Sequence, residues 1–380
     1  LKLLSGIAAV STGASLGYCA LSIWAAARFG RRARAPAATD FPPVSILKPL
    51  KGTDPQMYES FRSHCLQQYP AYEIVFGVSG ADDPAVPLVR RLEREFPDRG
   101  IRLVLCPEQL GANGKVSALI QLARAANYDV LVVNDSDIRV APDYLGTVLA
   151  ELESAKTGLV TCLYRGVPAK TLGSRLEALG ISTDFVPGVL VAREIEGGLG
   201  FGLGSTLAFR RRQLDSIGGF ESIADYLADD YELGKRIRDL GLKVELSTAV
   251  VETFLPAYGF SGFFAHQLRW ARTIRASRPA GYVGMLTTYT LAWAVLCLAL
   301  SRGAAWACYL LAASFSLRMA AALASGLAAV GDREVLRSLF LVPVRDLVAP
   351  FIWAAGLFGH GIVWRGEKFQ LAGGKLKRTA

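Results

Sequence analysis

Hydrophobic and polar positions alternate with different periods in different parts of this chain, and the periods divide it before any motif is read. Residues 3–27 carry no charged side chain. At about 1.5 Å per residue they are long enough to cross the roughly 30 Å hydrocarbon layer of a bilayer. A second apolar zone opens after Arg278 and Pro279. Residues 282–300 read as one span, and 303–331 as another interrupted only by Arg318, which either snorkels or pairs with a polar group inside a helix bundle. A third stretch, 338–364, contains Pro343, Arg345, Asp346 and Pro350 and reads as a re-entrant, interfacial or third C-terminal membrane segment. The intervening body has another rhythm. From Val44, apolar β-rich runs at 44–47, 72–78, 101–105 and 130–134 alternate with helical stretches near 55–68, 84–96 and 114–126. That alternation predicts an α/β domain with a mainly parallel sheet covered on both faces. Further strands are expected at 158–163 and 205–209. Asp143 is placed to cap a helix over 144–154, and 225–240 reads as a helix stopped by Gly241.

The resulting order is a transmembrane anchor at 1–27, a basic and Pro/Ala-rich linker at 28–43 and an α/β body at 44–258. An amphipathic interfacial helix follows at 259–278, then two transmembrane helices within 282–331, the ambiguous element at 338–364 and a basic tail at 365–380. A cleaved signal peptide needs a clearer basic start and a small-residue cleavage site, so a retained anchor is expected. Charge sets the orientation. Arg28, Arg31, Arg32 and Arg34 follow the first apolar run, and Arg333, Arg337 and the basic tail follow the later ones. The positive-inside bias then predicts a multi-pass protein with its body in the cytoplasm.

The chain carries a formal net charge of +9. The positive residues gather beside apolar segments without an aromatic-basic stripe, which argues for anionic headgroups and against nucleic acid. Six cysteines show no C-x-x-C spacing and sit largely in apolar runs, so they read as buried hydrophobes, not as a disulfide frame or zinc site.

In a parallel α/β sheet, chemistry collects beyond the carboxyl ends of the strands. Asp82 and Asp83 follow the second strand, and Gly111, Asn113, Gly114 and Lys115 open the third helix, where backbone N–H groups and a lysine can meet an anion. Asp135-Ser136-Asp137 puts two carboxylates at alternate positions after a very apolar strand. There they suit a hard divalent cation, Mg²⁺ or Mn²⁺, on a diphosphate, although a solvated turn explains the same three residues. Gly197, Gly198, Gly200, Gly202 and Gly204 either line an acceptor or form an undemanding loop. Asp229 and Asp230 start a helix. They complement its dipole, or Asp230 acts as a general base with Asp229 as its orienting neighbour. Residues 259–277 mix Phe260, Phe263, Leu268, Trp270 and Ile274 with His266, Arg269, Arg272 and Arg275, the composition of a membrane-surface helix. A functional reading has Arg269 meet the diphosphate while Trp270 shapes the acceptor opening.

The order of these fragments resembles membrane-bound glycosyltransferases of the ceramide glucosyltransferase type. Within them it looks closest to the hopanoid-biosynthesis enzymes that add N-acetylglucosamine to a bacteriohopanepolyol. The resemblance runs through Val44–Gly52, Asp82-Asp83-Pro84-Ala85, Gly111–Lys115, Asp135–Arg139, the glycine-rich loop to Phe209-Arg210, Ala228–Tyr231 and His266–Trp270. It implies a GT-A fold and inverting transfer from a UDP-sugar to a membrane lipid, a hopanoid polyol or a ceramide, at a bacterial inner membrane. Association with other lipid-biosynthesis enzymes goes with it. It further implies donor contacts from Pro49, Lys51, Asp82, Asp83, Lys115, Asp135, His266, Arg269 and Trp270, a metal on Asp135 and Asp137, a base at Asp230 beside Asp229, and an acceptor lined by Gly202, Gly204 and Trp270. Where the ceramide enzymes carry Gln or Arg at the head of the Q/R-x-x-R-W signature, this chain has His266. That departure points toward the hopanoid acceptor and leaves the role of position 266 between ligand contact and packing.

Overall fold

The structure, a computed structural model, describes residues 2–32 and 40–378. Residues 33–39 of the basic and Pro/Ala-rich linker expected at 28–43, Arg34 among them, lie outside the described residues. The chain folds as two compact units. One is formed by Leu1–Arg32, Pro168–Ile195 and Ala257–Val363, the other by Ala33–Val167, Glu196–Pro256 and Trp364–Ala380.

The second unit contains an eight-stranded sheet. Its strands are β1 (Val44–Pro49), β2 (Tyr72–Val78), β3 (Gly100–Leu105), β4 (Val130–Val133), β5 (Ile138–Arg139), β6 (Thr157–Val167), β7 (Leu207–Arg210) and β8 (Lys243–Phe254), ordered β3-β2-β1-β4-β7-β6-β8-β5. β1, β2 and β4 are buried nearly throughout, and apart from Ser45, Lys48 and Glu73 they are largely apolar, as strands must be when helices cover both faces. Strands β3, β2, β1 and β4 are parallel. The sheet turns mixed beyond them, because β7 runs antiparallel to both β4 and β6. The sheet is still mainly parallel, as expected from the sequence, since β6 and β8 pair parallel and run with the first four strands while only β7 and β5 are reversed.

The chain leaves β1 for β2 and β3 on one side and returns as β4 on the other, so the strand order reverses between β1 and β4. Leu47 sits opposite Val133 in that pair. The segments beginning at Lys48 and at Asn134 therefore emerge side by side at the crevice where α/β sheets place ligands. Helix Gly114–Ala125 packs across β1 and β2. Asp143 does precede helix Tyr144–Leu152, but its side chain does not cap it. Residues 365–378, expected as a tail, contribute β10 (Glu367–Ala372) and β11 (Lys375–Arg378), an antiparallel hairpin preceded by β9 (Gly361–Trp364).

In the first unit, helices Lys2–Gly30 and Ala305–Ala329 are each long and apolar enough to cross a membrane. Helix Lys2–Gly30 turns a face of small residues inward, with Ala8, Thr12, Ser15, Cys19, Ser22 and Ala26 all buried. Such a face lets helix backbones approach closely in lipid. A Cβ on Gly30 would fall 2.3 Å from the carbonyl oxygen of Ala328. The stretch read as a single span over 282–300 is two helices, Pro279–Thr288 and Thr290–Leu300, bent by 59°. Helix Val342–Gly356 has 15 residues. At 1.5 Å per residue it is about 22 Å long, short of the hydrocarbon layer.

Candidate active site

At the end of β4, Asn134 is fully buried. Its amide donates to the carbonyl of Ser205 (2.7 Å) and to the hydroxyls of Tyr144 (2.9 Å) and Thr206 (3.2 Å). The turn that follows is thereby fixed to β7. It presents Asp135 partly to solvent and Asp137 inward, where the Thr253 hydroxyl donates to Asp137. Burial first, and then the charge of Asp135, push the Asp137 carboxyl up to about 6. Beneath the turn, Lys48 is fully buried. Its ammonium donates to the carbonyl of Asp135 at 3.0 Å, and burial draws its pKa down to about 7 against the opposing pull of Asp137 and Asp135.

Helix Gly114–Ala125 supplies the next cation. Asn113 caps it by accepting from the Val116 N–H (3.2 Å), while its amide donates to the carbonyl of Tyr226 (2.7 Å). That tie joins the helix start to the segment leading into Asp229 and Asp230. Lys115 lies 2.8 Å from Asp135 Oδ1 and 3.1 Å from Asp229 Oδ2. Burial alone would lower its pKa, but Asp135, Asp229 and Asp230 together outweigh burial and raise it, so the ammonium stays charged.

Helix Asp229–Asp239 begins with the two acids. Glycines of this helix and of the preceding loop have distinct jobs. A Cβ on Gly234 would strike the backbone of Gly202 and Phe201 at 2.1–2.8 Å, so the loop and the helix touch through bare backbone. A Cβ on Gly204 would stand 3.1 Å from Asp135 Oδ2 and 3.3 Å from Asp230 Oδ2. Gly204 thus keeps open the space that both carboxylates border. Asp230 Oδ1 accepts from the Tyr231 N–H at 2.8 Å. Burial, then the charge of Asp229, raise Asp230 to about 6.

The acidic pair after β2 divides. Asp83 accepts from the N–H groups of Gly52 (3.0 Å) and Ala85 (2.8 Å), which fastens the loop after β1, whereas Asp82 is exposed. Pro49 ends β1, and Lys51 forms an ion pair with Glu367 of β10 at 2.6 Å. Two contributors carried no motif. Asp54 accepts from the Ser136 hydroxyl and forms a two-pronged pair with the guanidinium of Arg365, at 3.0 and 3.1 Å. The signal for Arg365 was a glycine, Gly366, between two stretches of alternating polarity, the mark of a hairpin.

The first unit holds the His266–Trp270 segment, on helix Phe260–Ser277. Glu177, buried on helix Leu172–Gly180, reaches His266 Nδ1 at 2.7 Å with one oxygen and accepts from the Tyr258 hydroxyl with the other. His266 Nε2 meets the guanidinium of Arg269. Since a guanidinium only donates, Nε2 is the acceptor in that contact. The Trp270 ring lies 5.5 Å from that of His266 and 6.2 Å from Phe185. Arg272 and Arg275 instead donate to carbonyls of residues 356–361 at the end of helix Val342–Gly356, a C-capping role. Sequence reasoning missed Glu177, a lone acid in an apolar helix.

Among the described residues, no three His, Cys, Asp or Glu side chains converge to hold a metal. Asp135 offers Oδ2 to the space beside Gly204. A donor set of one or two carboxylates suits a hard cation that takes its other ligands from phosphate and water.

The model of Glycosyl transferase family 21 matches residues 7–377. Ceramide glucosyltransferase 1 of Caenorhabditis elegans is 25% identical over 354 residues, 89% of this chain and 74% of that relative. Ceramide glucosyltransferase 3 of the same organism is 25% identical over 347 residues, 88% and 74% of the two chains. Among solved structures, the mannosyltransferase PcManGT of Pyrobaculum calidifontis, in complex with GDP-Man and Mn²⁺, matches with a TM-score of 0.58 and 23% identity, over 93% of this chain and 97% of that one. The fold is GT-A-like, with long apolar helices toward both ends of the chain, as expected from the sequence.

Proposed function

We infer the reaction from family and site together: the chain belongs to Glycosyl transferase family 21, and it moves a sugar from a UDP-sugar to a hydroxyl of a membrane lipid. The relatives favour glucose as the sugar and ceramide as the lipid. The observation that carries this reading is the division of labour among the carboxylates. Lys115 offsets Asp135 and Asp229, whereas Asp230 combines a raised proton affinity with an oxygen bordering the same open space. A carboxylate with a pKa near 6 is ionised at neutral pH and still a competent proton acceptor.

In the reaction, Asp230 takes the proton of the acceptor hydroxyl as that oxygen attacks the anomeric carbon. The bond from that carbon to the β-phosphate oxygen breaks, and UDP leaves with the electron pair. Attack opposite the leaving group turns an α-linked donor into a β-glycoside with no covalent enzyme intermediate. Asp135 and Asp137 would hold Mg²⁺ or Mn²⁺, which when bound would neutralise charge on the diphosphate leaving group. Lys115 holds Asp135 and Asp229 in place. Pro49 and Lys51, beside Asp82 and the Asp83-fastened loop, border the nucleotide. His266 orients Arg269 toward phosphate, Trp270 shapes the acceptor opening, and Gly204 leaves room for the reacting atoms. The enzyme is multi-pass, with Arg31 and Arg32 on the cytoplasmic side of its first span. A second reading, N-acetylglucosamine transfer to a bacteriohopanepolyol, rests on His266 at the head of the signature.

The test uses the full chain in lipid nanodiscs, supplied with UDP-glucose or UDP-N-acetylglucosamine and with ceramide or bacteriohopanetetrol, and identifies products by mass spectrometry. β-Glucosylceramide is expected; product only from bacteriohopanetetrol and UDP-N-acetylglucosamine selects the second reading. Asp230→Asn should lower turnover by about 10²- to 10⁴-fold, the usual contribution of a general base, while UDP still binds. Comparable turnover in that variant would remove Asp230 from the mechanism. Chelation by EDTA should abolish transfer and Mn²⁺ restore it; undiminished turnover in EDTA would remove the metal.

A further inference from the structure

We propose that Arg365, at the head of the C-terminal hairpin, is a ligand for the diphosphate of the donor, held ready by Asp54 until the donor arrives. The inference rests on the donor reading of the Asp135 site given above.

Several independent observations bring this residue to the site. Residues 365–378 fold back onto the sheet unit at three places. Lys51, just past β1, pairs with Glu367 at 2.6 Å. The Leu376 N–H donates to the carbonyl of Asp225 (2.7 Å) and the Leu227 N–H to that of Gly374 (3.1 Å), so β11 borders the segment that leads into Asp229 and Asp230. The Lys375 ammonium stands 5.2 Å over the Tyr226 ring, the residue whose carbonyl Asn113 holds. A hairpin attached to both the β1 exit and the approach to Asp229 is positioned by the donor site itself.

Arg365 is where the hairpin meets the Asp135 turn. Its guanidinium grips both oxygens of Asp54, and Asp54 accepts from the hydroxyl of Ser136, the middle residue of that turn. Burial works against its charge, but Asp54, then Asp137 and Asp135, outweigh burial. Its backbone has φ +49°, the left-handed region that non-glycine residues occupy at a cost, with Gly366 following at +83°. The chain accepts that conformation and thereby delivers a guanidinium, not merely a turn, to the site.

The charge balance says what it is for. Lys115 is engaged by two carboxylates and Lys48 lies under the turn without exposure. A diphosphate arriving at Asp135 adds negative charge and needs a planar two-pronged donor. Arg365 presents one, already two-pronged on a carboxylate, and phosphate oxygens match the same fork. Exchanging Asp54 for phosphate replaces one charge-assisted pair by another, with no ordering of a free side chain.

The experiment measures UDP and UMP affinity by titration calorimetry with Mn²⁺, on the full chain in nanodiscs, together with donor KM and kcat. For Arg365→Gln, UDP binding and donor KM should weaken by about 10- to 100-fold, the scale for a lost hydrogen bond to a charged group. UMP affinity should change less, and Arg365→Lys should recover part of the loss. Asp54→Asn should leave UDP affinity equal or tighter, because it releases the guanidinium. If Arg365 only clamps the hairpin, Asp54→Asn and Arg365→Gln weaken binding alike, UMP falls in step with UDP, and the proposal is overturned. Unchanged UDP affinity in Arg365→Gln overturns it too. Wild-type protein that binds neither nucleotide refutes the donor reading itself, and this assignment falls with it.

Discussion

Asp229 and Asp230 are adjacent in sequence and alike in chemistry, yet their surroundings separate them. Asp229 faces Lys115, and Asp230 faces the gap beside Gly204. That difference predicts a pH profile. With Asp230 raised to about 6 by burial and by the charge of Asp229, log kcat should fall with unit slope as pH drops below about 6, since the protonated carboxyl cannot accept the hydroxyl proton. Asp229→Asn removes the neighbouring charge but keeps the burial, so the pKa of Asp230 falls and the acidic limb moves to lower pH. A limb that stays in place would mean another group titrates. The sequence made both acids visible as candidates, because two carboxylates at a helix start after a glycine-rich loop form a local pattern. It did not show Lys48, Asp54 or Glu177. Their partners, Asp135, Ser136 and His266, lie 87, 82 and 89 positions away along the chain, and only the folded chain supplies that proximity.

Secondary-structure elements were legible where one period dominates. The runs of β1, β2 and β4 are predominantly apolar because both faces are covered, and helix Gly114–Ala125 announces itself through Asn113-Gly114-Lys115. β8 went unread. Its sequence mixes Lys243, Glu245 and Glu252 with apolar residues, and its pairing with β6 shifts register between Cys162 and Leu163. The hairpin reads as a tail in sequence because its basic residues mask a period of two, in which Phe369, Leu371 and Leu376 turn inward. Elements also explain the glycines better than the loop reading did. Gly234→Ala would set a methyl against the backbone of Gly202 and Phe201, which cannot yield as a side chain would. A loss of about 1–3 kcal/mol, the usual cost of overpacking, is expected in thermal unfolding, with activity falling too. Gly204→Ala should leave the melting temperature nearly unchanged and still reduce turnover, because its methyl enters the space between Asp135 and Asp230. A Gly204→Ala variant with wild-type kcat would show that space to be unused.

At the scale of the whole molecule, the chain devotes one unit to the carboxylate site and another to apolar helices, and the helical unit carries its own polar centre. Arg318 is 4% exposed and grips Asp346 at 2.9–3.0 Å and Asp184 at 2.6 Å, while Arg345 also pairs with Asp184 and donates to Gln267 at 3.1 Å. Two cations and two anions balance, which is what ionised groups among membrane helices require. From sequence, Arg318 had only the choice between snorkelling and an unnamed partner, since Asp184 lies 134 positions before it. The network ties helix Ala305–Leu323 to helix Val342–Gly356 and to the π-helical turn Ile181–Phe185. Gln267 lies between His266 and Arg269, so the same network reaches the signature segment. Arg318→Met strands Asp346 and should cost about 3–5 kcal/mol, because a buried charge that loses its partner is far worse than none. Arg318→Met with Asp346→Leu should recover most of that loss, since Asp184 keeps Arg345. Thermal unfolding of both variants in one detergent decides the matter. If the double variant is no more stable than the single one, the ion pair contributes beyond charge balance. If the single variant is as stable as wild type, the network does not hold this unit together.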